Sequence, residues 1–297
     1  MSKLLVWSQL AALGLPVWLW ALTLPAWAQS AAAGQAQVFT ITEGPRDGRF
    51  QVPQVKLPNA AVARRINQTL LRHFRERAFG EVDSTRSPRH QLRQAARECC
   101  FDEETKRWRA GGDGLTDTSY GVLLNQNYLL SLAFSESNQG LEQPGGPHLT
   151  FDLRTGRVLT LGELVADPPA QLGRRLEAAI SRRLRDELGK AVENYGDDSV
   201  RIDDVARLYN IEIWDTTPRR GLAIDTQDNG DDSQASYANF EFALTPEALL
   251  LFHTVGMSRL NFEFLPDETY TFPWARLKPT PLLQPLVSAG KHQKAMR

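Results

Sequence analysis

Five histidines and the carboxylates near them are the side chains of this sequence best suited to acid–base chemistry. The histidines lie at positions 73, 90, 148, 253 and 292, and no two have the spacing of a metal-binding pair. His148 stands out because Gly145-Gly146-Pro147 places it after a constrained turn, with Asp152 four residues further on. The chain has no G-x-S-x-G, S-x-x-K or H-E-x-x-H motif. We therefore predict no catalytic residue. A His148–Asp152 pair, in a hydrolase or deacetylase acting on envelope glycans, is the alternative.

An acidic loop resembles the opening of a calcium-binding loop. Residues 225–232 are DTQDNGDD, which places oxygen-bearing side chains at Asp225, Gln227 and Asn229 and a glycine at the sixth position. The twelfth position is Ser236 instead of a bidentate glutamate, and no predicted helix follows closely. The three residues are a calcium candidate. The prediction itself is an acidic, turn-rich loop with no metal and no cofactor.

The only two cysteines, Cys99 and Cys100, are adjacent. Two thiols usually pair in an oxidising compartment, although neighbours can do so only through a small, strained ring. Three states stay open: a vicinal disulfide, two free thiols, or a disulfide-linked dimer. Two sulfurs are too few for a zinc site. Acidic neighbours from Glu98 to Glu104 disfavour a thiolate, so we predict no catalytic role.

Two segments have the periodicity of amphipathic helices. After Pro58-Asn59, apolar residues recur every four positions, with arginines mostly off the stripe; they are Val62, Ile66, Leu70 and Phe74. The segment from Leu172 to Leu188 repeats that pattern. Residues 88–108 are predicted as a further helical stretch, very polar and either short or irregular.

Alternating and β-branched segments bounded by Gly, Pro and Asn predict strands. They are residues 36–42, 50–57, 120–124, 128–134, 148–153, 158–161, 240–244, 248–253 and 270–272, with a further strand possible at 211–214 inside a loop-rich tract. Asn125-Gln126-Asn127 joins two of them in a hairpin. Since hairpins replace regular βαβ units, we predict an α+β fold, with antiparallel β-sheet hairpins packed with two main helices.

The first 28 residues have the three parts of a secretory signal peptide. They are a basic start at Met1-Ser2-Lys3, an uncharged apolar run at residues 4–24, and an Ala26-Trp27-Ala28 cleavage site. The apolar run is long enough to span a bilayer, so an uncleaved anchor is the alternative. We expect a periplasmic or secreted protein, cleaved after Ala28, with no membrane span in the mature chain.

Composition indicates an ordinary globular protein beyond that segment. The chain is 42% hydrophobic and 23% charged, and its net charge of −1 argues against a nucleic-acid binder. We divide it into a signal peptide (1–28), a linker (29–35), one α+β domain (36–285) and a basic, disordered tail (286–297). Candidate sub-domains within the α+β domain are residues 36–166 and 167–285.

A series of motifs is similar to a known family. The motifs are LPNAAVARRIN at 57–67, YGVLLN at 120–125, LLSL at 129–132, GGPH at 145–148, FDLRTG at 151–156, LTLGEL at 159–164 and FALTPEALLL at 242–251. As a series they resemble the paired DUF4163 and DUF3298 domains. Those domains are found outside the membrane in RsiV-type anti-sigma factors and beside some peptidoglycan deacetylase domains.

The resemblance implies binding instead of catalysis, because in the anti-sigma relatives the module resembles a lysozyme receptor. Only Met1-Ser2-Lys3 precedes the apolar run, so we expect no cytoplasmic sigma-binding segment. We expect a non-enzymatic binding module of the cell envelope that recognises a lysozyme-like protein or a peptidoglycan fragment, with a structural scaffold as a further alternative. Aromatic-lined clefts are typical of binding sites. The expected binding residues are His148, Gly146, Tyr128, Trp214 and Trp274.

Overall fold

The computed structural model describes residues 34–44, 49–78, 85–111, 115–138, 146–195, 240–253 and 268–288. The strands are β1 (Gln37–Glu43), β2 (Phe50–Lys56), β3 (Phe101–Asp102), β4 (Arg107–Trp108), β5 (Leu115–Gln126), β6 (Leu129–Asn138), β7 (His148–Asp152), β8 (Glu241–Leu244), β9 (Ala248–Phe252) and β10 (Thr269–Pro273). The helices are α1 (Ala60–Ala78), α2 (Pro88–Cys100), α3 (Leu161–Leu164) and α4 (Pro169–Tyr195), with a 3-10 turn at Trp274–Arg276.

The larger sheet has the strand order β1-β2-β5-β6-β7, and a second sheet has the order β10-β9-β8. Neighbouring strands are antiparallel except β2 and β5, which meet in parallel at Phe50 and Thr118. The exception arises because α1 and α2 lie between these two strands in the chain, and a crossover can return the chain in its original direction. The predicted α+β class is confirmed, with this one parallel contact in an otherwise antiparallel sheet.

The β5–β6 hairpin turns at Asn127 and Tyr128, whose φ angles are 53° and 63°. Two consecutive positive φ angles define a type I′ turn, which matches the twist of the flanking strands. The predicted hairpin is therefore present, although its strands are longer than expected and Tyr128 belongs to the turn and not to a strand.

Helix α1 follows directly from its sequence pattern. The Asn59 side chain accepts hydrogen bonds from the backbone N–H groups of Ala61 and Val62, at 3.1 and 3.3 Å, and so caps the helix. All four predicted core residues of this helix are buried: Val62, Ile66, Leu70 and Phe74. Asn67 exchanges two hydrogen bonds with the backbone of Val55, which fixes the helix against β2.

Helix α2 confirms the predicted helical stretch from Pro88 in its short form, and corrects its end, which is Cys100 and not Trp108. Ser87 caps it through the N–H of His90 at 3.4 Å, and Pro88 occupies its first turn. Its buried residues are few and include only one large apolar side chain, so the polar majority of its sequence masked the pattern; they are Gln91, Leu92, Ala95, Ala96 and Cys100. Residues 101–108, predicted as helical, form the small β3–β4 hairpin instead.

The predicted strand at residues 158–161 is also wrong. Val158 makes one isolated bridge to Phe151, and Thr160 is then the N-cap of α3. The carboxylate of Glu163 accepts from the backbone N–H of Thr160 at 2.9 Å, which is half of a capping box. The helix prediction from Leu172 is confirmed within α4, where Leu172, Leu176, Ile180 and Leu184 are buried.

Residues 129–132 of strand β6 are buried on both faces of the sheet, which explains the apolar run there. Leu130 and Leu132 belong to one hydrophobic cluster, with α1 and α2, whereas Leu129 belongs to a second cluster. The second cluster contains α4 and the three-stranded sheet.

In the described residues, no helix is both long and apolar enough to cross a membrane. The N-terminal segment, the 211–214 strand and the tail beyond residue 288 lie outside those residues. Leu286 and Val287, which the sequence interpretation placed in the tail, are buried in the second cluster. The division into sub-domains stays a prediction.

Candidate functional site

His148 joins the two larger sheets. Its Nδ1 lies 2.7 Å from a carboxylate oxygen of Glu241, and its ring stacks on Phe252 with centroids 3.7 Å apart. Glu241 and Phe252 are on β8 and β9, so both partners come from the opposite sheet. With its side chain 13% exposed, His148 packs within the protein and is poorly placed to meet a ligand.

Asp152 closes a turn and is not a partner of His148. Four residues of strand separate their α-carbons by about 13 Å. The Asp152 carboxylate accepts from the backbone N–H of Arg154 at 3.0 Å and from the Thr155 hydroxyl at 2.9 Å. The structure therefore does not assemble the alternative catalytic pair.

Of the remaining predicted binding residues, Gly146, Tyr128 and Trp274 lie in the described part of the chain, and each has contacts of its own. A Cβ on Gly146 would lie 2.5 Å from the Phe134 carbonyl oxygen, so this glycine allows close strand packing. Trp274 is 6% exposed, and its indole N–H donates to the carbonyl of Pro246 at 3.1 Å. Tyr128 is 42% exposed, and the Arg154 guanidinium lies 4.9 Å from its ring centroid.

Other candidates of the sequence lie outside the described residues, namely Trp214 and the calcium candidates Asp225, Gln227 and Asn229. Among the residues that the structure does describe, no group of three or more His, Cys, Asp or Glu side chains could hold a metal ion. Cys99 and Cys100 are bonded to each other at the end of α2, and Cys100 is buried.

A groove of about 540 Å³ runs beside α1, and we name it the arginine groove. Its volume is within the usual range for small-ligand sites. Helix α1 contributes one wall, α2 contributes Gln91, and the turn after β7 contributes the rest. The lining residues are Arg65, Gln68, Thr69, Arg72, Arg75, Gln91, Gly156, Arg157 and Val158.

The period of α1 places its three groove arginines on one face. Counted from Arg65, Arg72 is seven positions further on and Arg75 is ten, which corresponds to two and nearly three helical turns. The buried residues of α1 occupy a different face of the same helix. From Arg65 to Arg75 the row extends about 15 Å along the helix axis.

The turn that Asp152 closes brings a fourth arginine to this row. Gly156 has a φ angle of 74°, and a Cβ there would lie 3.0 Å from the Val62 carbonyl oxygen, so only glycine lets the turn approach α1 this closely. The Arg65 guanidinium donates to the Thr155 carbonyl at 2.6 Å and fixes the contact. Arg157 follows directly in the chain.

Positive charge in the arginine groove is only partly balanced. Arg157 pairs with Glu163 at 2.7 Å, and Arg72 lies 4.0 Å from Glu76 with both side chains mostly exposed, which makes a weak pair. Arg65 donates to a neutral carbonyl and keeps its full charge. The described residues lining the groove include four arginines and no carboxylate, so the site favours anionic ligands.

The sequence interpretation missed this site because helix-surface arginines are common and solvated. Their alignment along α1 was a usable signal, but the approach of Arg157 depends on a turn some ninety residues away. The arginines of α4 show the contrast. Arg175 pairs with Asp167 at 3.1 Å, and Arg183 lies 4.2 Å from the Tyr270 ring centroid, so these two are engaged in packing.

No family model and no curated protein matches this chain. Its structure is similar to that of a DUF3298 family protein from Pseudomonas aeruginosa PAO1, with 14% identity over 84% of this chain and 93% of that chain and a TM-score of 0.41. It is also similar to a DUF3298 family member from Bacteroides fragilis NCTC 9343, with 12% identity over 86% of this chain and 98% of that chain and a TM-score of 0.42. Both are DUF3298 proteins, and DUF3298 is one of the two domain families that the sequence motifs resemble. The DUF4163 and RsiV-type assignments stay predictions.

Proposed function

We propose that this chain is an extracytoplasmic, non-enzymatic binding module of the cell envelope, and that its arginine groove binds a peptidoglycan-type glycan. The observation that carries the proposal is the groove itself, about 540 Å³ lined by guanidinium, amide and hydroxyl groups. Such donors suit the hydroxyl, acetamido and carboxylate groups of that glycan. A lysozyme-like protein, the other expected partner, would have to present an acidic face to this groove.

The chemistry of the lining supports binding over proton transfer. Guanidinium groups stay protonated throughout the physiological pH range and therefore do not serve as general bases. They supply fixed, directional donors, which is what recognition and orientation of a ligand require. The separation of His148 from Asp152 supports the same choice.

Location outside the cytoplasm is supported by the N-terminal sequence, with its apolar run and Ala26-Trp27-Ala28. N-terminal sequencing of the protein recovered after expression with its full N-terminal segment tests this part. We expect the mature chain to begin at Gln29 in the periplasmic or secreted fraction. Recovery of a chain that begins at Met1, in the membrane fraction, would support the uncleaved anchor.

Titration calorimetry of the exported protein with a disaccharide-peptide muropeptide tests the binding role. We expect saturable binding that Arg72→Glu weakens at least about tenfold, because the substitution reverses a charge in the groove. Arg64→Glu is the matched control, since Arg64 is exposed on the same helix and does not line the groove.

Lysozyme is titrated in parallel. Binding of lysozyme without binding of the muropeptide would replace the proposed ligand by a protein partner. Binding of neither, or equal effects of the two substitutions on muropeptide affinity, would overturn the proposed role of the groove.

A further inference from the structure

We infer that the end of the arginine groove nearest α2 is an oxyanion subsite, where Arg75 and Arg72 bind a carboxylate or phosphate group of the ligand. The inference rests on the proposed function, because it names the chemical group that the same groove would take. It follows from a difference between the two ends of the groove.

Arg75 carries an unused donor. Arg75 lines the groove, and within the described part of the chain its Nε is buried without a hydrogen-bond partner. A buried Nε cannot itself meet a ligand. The terminal nitrogens of the same guanidinium, which also have no hydrogen-bond partner among the described residues, are the donors that Arg75 offers to the groove. The acceptor that best satisfies a guanidinium fork is an oxyanion with two oxygens.

The other end of the groove, beside the turn after β7, differs because its arginines already have hydrogen-bond acceptors within the protein. Arg65 donates to the Thr155 carbonyl at 2.6 Å, and Arg157 donates to Glu163 at 2.7 Å. These two side chains are held in place by the protein. The free hydrogen-bonding capacity for an anion is therefore concentrated at the α2 end.

Arg72 and Gln91 complete the α2 end. Arg72 precedes Arg75 by three positions, a spacing that brings side chains of one helix within reach of each other. Its side chain is 65% exposed, so it can swing toward a ligand that Arg75 already holds. Gln91 of α2 also lines the groove, and a hydrogen bond from its Nε2 to the Arg86 carbonyl at 2.8 Å positions it.

Two sources of the oxyanion fit this chemistry. Carboxylates of a peptidoglycan stem peptide present two oxygens to the guanidinium fork, and phosphate groups of an envelope polymer present three. The approximately 15 Å row of arginines on α1 leaves room for a chain of sugars beyond the anionic group.

Calorimetry with four forms of the full-length protein and three probes tests the subsite. The forms are the unsubstituted protein, Arg75→Gln, Arg72→Gln and the control Arg64→Gln, which removes the same charge from α1 outside the groove. The probes are a muropeptide with free carboxylates, the neutral disaccharide diacetylchitobiose, and inorganic phosphate. A thermal melt of each form confirms folding, and Arg72→Gln carries the test if Arg75→Gln does not fold.

For the muropeptide we expect Arg75→Gln to lower affinity about 10- to 100-fold, the effect of losing a charge-assisted hydrogen bond. We expect a smaller loss for Arg72→Gln and less than about a twofold change for Arg64→Gln, as for exposed charges outside an interface. The affinity for diacetylchitobiose should be the same in all four forms.

Muropeptide affinity that is unchanged in Arg75→Gln and Arg72→Gln would overturn the subsite, and the charge reversal Arg72→Glu would then decide separately whether the groove binds the glycan. Binding of phosphate alone, lost in Arg75→Gln, would uphold the subsite and overturn peptidoglycan as its ligand. Failure of both anionic probes to bind would overturn both proposals.

Discussion

Gly146 is the residue whose role the structure defines most sharply, because an added Cβ would lie 2.5 Å from the Phe134 carbonyl oxygen. Gly146→Ala should therefore force β7 away from β6 and lower the free energy of unfolding by about 1–3 kcal/mol, the usual cost of overpacking. Urea denaturation measures the change. Gly121→Ala is the matched control, since no heavy atom lies within 4 Å of a Cβ there. Equal losses in the two variants would contradict this account of Gly146.

The cysteine pair leads to a second prediction for single residues. Because Cys99 and Cys100 are bonded to each other, the unreduced protein should resist alkylation and weigh less than the reduced chain by two hydrogen atoms. Mass spectrometry with and without reductant decides this. Rapid labelling of both cysteines in the native protein, together with a redox activity that Cys99→Ser abolishes, would show that the pair has been misinterpreted.

Residue roles were harder to predict than residue positions. The sequence singled out His148 for the constrained turn before it, but its partner Glu241 lies 93 positions later. In the sequence Arg75 is one of many helix arginines, and only the packed structure shows that it lines the groove without a hydrogen-bond partner among the described residues. Contacts across such distances in the chain have no local signature, so the sequence could not predict the packing of His148 and Trp274 or the approach of Arg157 to α1.

At the scale of elements, the cap of α3 gives a pH-dependent prediction. The pKa of Glu163 is lowered, chiefly by the hydrogen bond from the Thr160 N–H and then by Arg157. Folding thus favours the carboxylate, so Glu163 stabilises the protein above about pH 4.3, the usual glutamate pKa, and this contribution is lost as the pH falls further.

Glu163→Gln should lower the free energy of unfolding by about 0.5–1.5 kcal/mol near neutral pH and by progressively less below pH 4. Denaturation curves across this pH range measure the difference. Glu76→Gln should have little effect at any pH, because its side chain is 68% exposed and only weakly paired. A difference for Glu163→Gln that grows on acidification would contradict the sign of the argument.

Elements with a strong apolar period were predictable, and those without one were not. In α1 and α4, repeated large apolar residues marked both the helix and its buried face, and the Asn-rich turn marked the β5–β6 hairpin. Helix α2 was underestimated because Leu92 is the only large apolar residue on its buried face. The segment after Val158 resembled a strand by its composition, but Thr160 and Glu163 form a cap that starts α3.

At the scale of the whole molecule, His148 links the five-stranded sheet to the three-stranded sheet through Glu241 and Phe252. His148→Ala should lower the free energy of unfolding by about 1–3 kcal/mol, because it removes a stacked ring and leaves a cavity. It should leave muropeptide affinity unchanged. Denaturation and calorimetry on the same preparation measure both properties. A His148→Ala variant that folds with unchanged stability but loses ligand binding would show that His148 contributes to the binding site.

The most direct test of the central claim, that the arginine groove is the binding site, is nuclear magnetic resonance of the arginine Nε–H groups during titration with the muropeptide. The account predicts that the Arg75 and Arg72 signals shift on binding, while those of Arg64 and of Arg183 on α4, which lies against Tyr270, stay in place. Ligand-induced shifts confined to arginines outside the groove, with the Arg75 and Arg72 signals unmoved at saturation, would contradict it.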